Sequence, residues 1–261
     1  MFSTEKRCRY GANQLTDVIC QFRFPEILSI EANMPVDFQE AIREQYPIFQ
    51  RRMEIPAPKI TGQPGQFRLE NQPGTINCQF SSLDHAWRVN LTSRFISLSC
   101  SRYTCWEDFA AHMDKPLAAF IQIYKPACFR RVGLRYRNNI SREALGLEGK
   151  KFSDLIVSRY LGPLADEEIN ENTATRCGLD MEMAIRNGCR MQLRAGPVQT
   201  GRKEDSKQEK TFLFDQDLYI AGNIPLNLSA AAMNTLHGQA WTIFRDAITD
   251  TLHEAMEPDI L

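Results

Sequence analysis

Three large apolar side chains, Phe38, Ile42 and Tyr46, recur with the same spacing at Phe152, Ile156 and Tyr160, an offset of 152 − 38 = 114. At that offset Val18 falls on Val132, Phe22 on Tyr136 and Arg23 on Arg137; at one less, 77–80 (NCQF) falls on 190–193 (RMQL). Self-similarity at a fixed offset, kept in order along the chain, is the mark of a structural unit built twice. Each half reads as strand, helix, three or four strands, long helix. The expected division is 1–127 and 128–261, two halves of one structural unit. The fold class this predicts is α+β, an antiparallel sheet backed by long helices.

The strand at 129–140, FRRVGLRYRNNI, opens the second half. Its period of two sends Val132, Leu134 and Tyr136 to one side and Arg131, Arg135 and Arg137 to the other, the signature of a half-buried strand. In the first half, 15–25 alternates likewise, with Val18, Cys20, Phe22 and Phe24 inward and Gln21 and Arg23 outward. Residues 1–13 read as a loose arm. Pro35 suits the first turn of a helix that Pro47 stops, and 55–66, rich in Pro and Gly, reads as a loop. Short β runs follow at 67–70, 76–81, 87–91 and 94–100. The TCWE of 104–107 has the form of a capping box opening a helix with Trp106, Phe109, Met113, Leu117, Phe120 and Tyr124 on one face, kinked or restarted at Pro116. In the second half a helix is expected at 152–161, an acidic linker at 165–172, and strands at 175–185, 189–195 and 211–221. The polar run 201–210 reads as a loop, and a last helix at 229–256 is capped by Asn227.

Composition excludes several classes of function. The formal net charge is −1, so a general nucleic-acid coat is disfavoured, because such affinity comes from summed phosphate neutralisation. No apolar run approaches the ~20 residues of a membrane span, and the first residues lack the apolar stretch of a signal peptide. Eight cysteines include no C-x-x-C pair, which predicts reduced thiols in a cytoplasmic setting and no zinc site. No cofactor is expected, since both glycine-rich phosphate-loop patterns are missing. Yet 22 of the 31 basic residues are Arg, the side chain suited to bidentate contact with carboxylate or phosphate.

The outward phase of the strands is therefore the candidate binding surface, with Arg23, Arg131, Arg135, Arg137, Arg190, Arg194, Gln21 and Gln192 as its residues. It would hold an anionic or polar ligand or a protein partner, with a homodimer as one arrangement. The competing reading is an ordinary solvated sheet face. Asp180 and Glu182 place two carboxylates on one strand face, as a metal or acid–base pair requires. A three-residue loop at 186–188, however, sets Asp180 opposite Arg194 and Glu182 opposite Gln192, and cross-strand pairing then accounts for both acids. Asp84-His85 reads as a hairpin turn. Cys105, in the first turn of a helix, is the one thiol with a reason for heightened acidity, and no partner for it is identifiable. No catalytic residues and no metal ligands are assigned.

The runs QLTDVICQFRFP (14–25), the helix ending in Tyr46-Pro47, and VGLRYRN (132–138), with Trp106, Phe109 and the Leu236-His237…Phe244 helix, together resemble a sporadically distributed, uncharacterised prokaryotic family of about this length. The resemblance spans nearly the whole chain and implies a bacterial or archaeal cytosolic protein with an accessory, defence-related role. It implies no catalytic residues. The order of elements resembles the TATA-box-binding-protein saddle, a likeness of fold that carries no function. The expected function is a non-enzymatic binding or adaptor protein; nucleic-acid binding by the same face, and a hydrolase or nuclease, are the alternatives.

Overall fold

Alternating burial along the central strands sets the architecture. The computed structural model describes residues 7–55, 59–61, 66–70, 74–174, 176–200 and 209–260. In chain order these form β1 (Cys8–Tyr10), β2 (Leu15–Arg23), α1 (Leu28–Ala32), α2 (Val36–Ile42), β3 (Ile48–Glu54), β4 (Lys59–Thr61), β5 (Arg68–Glu70), β6 (Thr75–Ser81), β7 (Trp87–Leu91), β8 (Phe95–Cys100) and α3 (Trp106–Tyr124). Then come β9 (Phe129–Ile140), α4 (Phe152–Leu155), β10 (Leu179–Ala184), β11 (Arg190–Thr200), β12 (Glu209–Ile224), α5 (Ser229–Ala247), α6 (Asp250–Ala255) and β13 (Pro258–Ile260). The chain is a mixed α+β protein around a nine-stranded sheet of order β10-β11-β12-β9-β2-β8-β7-β6-β3, antiparallel at every neighbour.

The middle of the sheet is the pairing of β2 with β9, in which Val18 faces Tyr136, Cys20 faces Leu134 and Phe22 faces Val132. All six side chains are buried, and α3 and α5 cover that face. Phe120 of α3 stacks at 4.5 Å on Phe24, and Phe109 lies 5.8 Å from Trp87. The apolar stripe of α5, Met233, Leu236, Ala240, Phe244 and Ala247, is likewise buried.

Several local expectations are corrected. The arm is not loose over its described part: β1 pairs with β13, and Gly11 N and Ala12 N donate to the carbonyls of Glu257 and Met256. The strand β3, on the sheet edge, and the short helix α1 were not anticipated. The 55–66 stretch contains β4, which pairs with β5, while 56–58 and 62–65 lie outside the described residues. The capping box does not form; Cys105 is the N-cap without a side-chain bond, and Thr104 Oγ1 donates to Asp108 instead. α3 runs through Pro116 without ending. Proline leaves the carbonyl four residues back without a helical donor, and that carbonyl, His112 O, accepts from Tyr46 Oη at 2.9 Å.

The helix expected at 152–161 is one turn of α4 followed by 3-10 turns, the second of them reaching into the start of the expected acidic linker. The last helix is two. Ile248 leaves α5 in extended backbone and bridges Ile156, while Thr249, not Asn227, caps a helix, accepting from Leu252 N. Tertiary hydrogen bonds from Val157 N to Ala247 O and from Thr249 N to Leu155 O, both 2.9 Å, replace helical ones there. Of the 201–210 loop, 201–208 lie outside the described residues, as does residue 175 at the start of the strand expected at 175–185, while Glu209 and Lys210 belong to β12.

Candidate functional site

The eight residues proposed from sequence lie where the alternation puts them, on the sheet face opposite the helices. That face brings most of them onto acids. Arg135 donates through Nε and Nη2 to Asp215 at 2.7 and 2.5 Å, and Arg131 Nη2 reaches both oxygens of Asp217 at 2.9 Å with its guanidinium over the Tyr219 ring. Arg190 meets Glu182 at 3.1 Å and Arg194 meets Asp180 at 3.3 Å, in the expected register. Gln192 also donates to Glu182, and Tyr219 does so at 2.6 Å. Arg23 donates to Gln21 at 2.7 Å. Its guanidinium is less basic than usual because burial and the like charge of Arg131 both disfavour the cation. Arg137, with Arg88 of β7, makes no ion pair among the described residues; both act on Asp17, whose carboxyl is nonetheless raised by burial.

On this face the two carboxylates of β10 are thus consumed by cross-strand partners. Asp84 is held in the β6–β7 turn by Ser82, Ala86 N and Arg102, which depress its carboxyl, and His85 occupies a left-handed turn position, φ 56°. Neither pair is poised for acid–base chemistry. Among the described residues there is no group of three or more His, Cys, Asp or Glu arranged to hold a metal.

The helix side holds a different site. Between β9, β12, α3, α5 and the β1 arm lies a cavity of about 100 Å³ that opens to solvent. The alternation that buries Val132 and Leu134 also turns Tyr136 and Asn138 of β9 inward. The phase that buries Phe212, Phe214 and Leu218 turns Gln216 inward as well. From α5, His237 and Trp241 reach the cavity from the flank of the apolar stripe, each one residue after a buried member, Leu236 and Ala240. Tyr10 of β1 closes one side, its ring against Trp241 and Phe244 and its hydroxyl on His253 Nδ1 at 2.8 Å.

The buried polar groups of this cavity carry no charge. Tyr136 Oη and His237 Nδ1 share a hydrogen bond of 2.8 Å, and the indole of Trp106 stacks on the imidazole at 4.4 Å, tilted by 5°. Trp106 Nε1 donates to Asn234, one turn earlier on α5. Burial, assisted by the Arg7 charge, drives the imidazolium of His237 down to about 3, so the ring is neutral at ordinary pH. Burial also pushes the Tyr103 and Tyr136 phenols up, so neither ionises. The charged residues of the lining are Arg7, Arg9 and Glu107, all exposed, with Arg7 and Glu107 3.7 Å apart.

Two polar atoms of lining residues are sealed off and have no partner among the described residues. Gln216 is 2 % exposed; its Nε2 donates to Ala240 O at 3.3 Å, but its Oε1 has no partner among the described residues. Trp241 Nε1 is buried and has none either. Buried polar groups are almost always bonded, so each such atom calls for an explanation. As for catalysis, no hydrogen bond joins Cys105, a thiol of the cavity lining, to His237 among the described residues.

The sequence did carry a signal for this cavity. Gln216 and Asn138 are polar residues standing in the apolar phase of strands, beside Phe212, Phe214 and Leu218 in one and Leu134, Tyr136 and Ile140 in the other, a departure that marks function or strain. No protein-family model matches the chain, and no curated protein matches it. The class defined by fold and geometry is accordingly an α+β protein with a lined, neutral cavity beneath a charge-paired sheet.

Proposed function

We propose that the chain is a binding protein that captures a small molecule without transforming it, in the cavity between β9, β12, α3 and α5. The observation that carries this reading is the concave space itself, walled by the aromatic rings of Tyr10, Tyr103, Trp106, Tyr136, Trp241 and Phe244. Binding sites have this composition, mostly apolar with a few placed polar groups. The test is native mass spectrometry of the full chain purified from the cell that makes it, with a thermal-shift measurement before and after solvent extraction of small molecules. A co-purifying mass whose removal lowers the Tm is expected. A protein with no bound mass that also takes up no aromatic probe would overturn it.

The same proposal includes a duplicated origin and a cytoplasmic, accessory role. It is supported by the strand order, which reads outward from β9 and β2 as two similar series. It is also supported by the β2–β9 ladder: Val18 and Phe22, equated by the offset with Val132 and Tyr136, pair crosswise with Tyr136 and Val132, as two copies related by a twofold would.

A second reading, capture of an anionic or polar partner by the outer sheet face, is favoured by one observation. Arg23, Arg88 and Arg137 stand on that face and make no ion pair among the described residues. With Arg131, Arg135, Arg190 and Arg194 already paired, Arg23, Arg88 and Arg137 would make the contact. Charge reversal at Arg23 and Arg137 should then abolish partner capture while leaving the Tm unchanged; unaltered capture would refute it. Nucleic acid is the weaker partner for so internally neutralised a face.

A further inference from the structure

Resting on the reading of the cavity as a binding site, we infer that β1 is its gate, a strap that peels away from β13 to admit a molecule. Size makes a gate necessary. The cavity holds about 100 Å³, less than the roughly 150 Å³ that takes one benzene ring and well short of the roughly 300 Å³ at which ligand sites begin. Space lies next to it. A groove of about 640 Å³ runs between α3 and α5, lined by Ala110, Ala111, Asp114, Asn234 and Gly238. Arg7, Trp106, Glu107 and His237 line both spaces and divide them. Of these four, Arg7 alone belongs to the strap; the others are fixed on α3 and α5.

The walls differ in what holds them. β9 and β12 have hydrogen-bonded neighbours on both sides, and α3 and α5 bury apolar stripes, so moving any of them breaks the core. β1 has three residues, pairs with β13 and stands outside the nine-stranded sheet. A two-stranded ribbon is marginal by itself, and such units open locally at a fraction of the global free energy. Beyond the ladder, the strap is tied by the Tyr10 hydroxyl on His253, the exposed Arg7–Glu107 pair, and the Gly11 and Ala12 amides on the carbonyls of Glu257 and Met256. Its Tyr10 ring nonetheless lies against Trp241 and Phe244 of the cavity wall. The wall held least firmly is the one whose withdrawal bares the aromatic lining.

Ile260→Cys supplies the test, because Cys8 stands opposite residue 260 in the β1–β13 ladder, at a Cα spacing that a disulfide spans. Glutathione disulfide closes the bridge, its own two thiols being released as the protein's two are oxidised, and dithiothreitol reopens it. Uptake of 2-naphthol, two fused rings, by the full chain is followed by stopped-flow tryptophan fluorescence. The rate scales with the fraction of open strap, so closing the bridge should slow uptake at least about tenfold, and reduction should restore it. Cys8→Ser combined with Ile260→Cys should show neither effect, and Tyr10→Ala, which removes the covering ring, should speed uptake. Equal rates with the bridge closed and reduced overturn the gate while leaving the cavity a binding site. If the bridge does not form, hydrogen exchange on the native chain decides. The Gly11 and Ala12 amides should exchange through an opening that leaves β9 protected, and exchange of both sets together overturns the gate. No uptake by any of these proteins, Tyr10→Ala included, overturns the cavity reading as well.

Discussion

The neutral imidazole of His237 makes a quantitative claim about acid stability. In an unfolded chain histidine protonates near its ordinary value, about 6.5. In the folded protein the ring is held neutral down to about 3, by burial first and by the Arg7 charge second. A base whose folded pKa is depressed binds protons preferentially in the unfolded state. Its contribution is therefore fully present above about pH 6.5 and is lost progressively as the pH falls toward 3. Within that window each pH unit costs roughly 1.4 kcal/mol, so the drop from pH 7 to pH 5 removes about 2 kcal/mol through this one ring. That figure is a ceiling, because His237 is only partly enclosed and local opening would relieve it. The assay is urea denaturation at half-unit intervals from pH 7.5 to 4.5 for the native protein and for His237→Phe, which keeps a ring against Trp106. The carboxylates titrate in both proteins and cancel in the difference. The stability gap between the two should narrow by about 2 kcal/mol by pH 5, and a histidine-resolved NMR titration should show one ring silent above pH 4. A gap that stays constant across the window would refute the claim that the folded state refuses this proton.

Other perturbations test the packing directly. Gly196→Ala would put a Cβ within 2.6 Å of Cys177 O and 2.8 Å of Gly178 Cα, at a φ of 154°, so chemical denaturation should show a loss of roughly 2–3 kcal/mol; a neutral result would mean β11 does not approach that backbone. Leu236→Ala, at a fully buried position of α5, should cost roughly 2–5 kcal/mol by the same measurement. Asp215→Asn should cost roughly 1–3 kcal/mol, because it leaves the Arg135 guanidinium against a neutral acceptor. Adding Arg135→Met should return part of that loss, and a double-mutant cycle with no coupling would show the pair to be inert.

Strands with one wet face were legible because a period of two is unambiguous. The β10–β11 register followed from the need to keep Met181 and Met183 on the side of Met191 and Leu193, and Asp180 indeed faces Arg194. The edge strand β3 was not legible. Its run, IFQRRME, lies at the edge of the described sheet and has charges on both faces, and so gives no alternation. The break between α5 and α6 escaped for a different reason: the residues around Ile248 keep a helical stripe, and only the distant strand-like segment at Leu155–Val157 competes for their hydrogen bonds. At the outer face, sequence placed the six candidate arginines but could not show that Asp215 and Asp217, two and four residues along β12 from Leu213, would come to rest beneath Arg135 and Arg131. The cavity was overlooked because Gln216 and Asn138 were read as ordinary members of β runs, and because His237 and Trp241 flank a stripe instead of belonging to it.

The β2–β9 ladder has a consequence for any attempt to cut the molecule. Fragments severed between the halves would each carry a raw margin along what had been the middle of the sheet, one offering β2 and the other β9. Both margins alternate large apolar groups with polar ones, so each is complementary to the other and nearly so to itself. In the intact chain covalent proximity makes the choice; between free fragments, concentration would make it, and reassembly would compete with self-pairing.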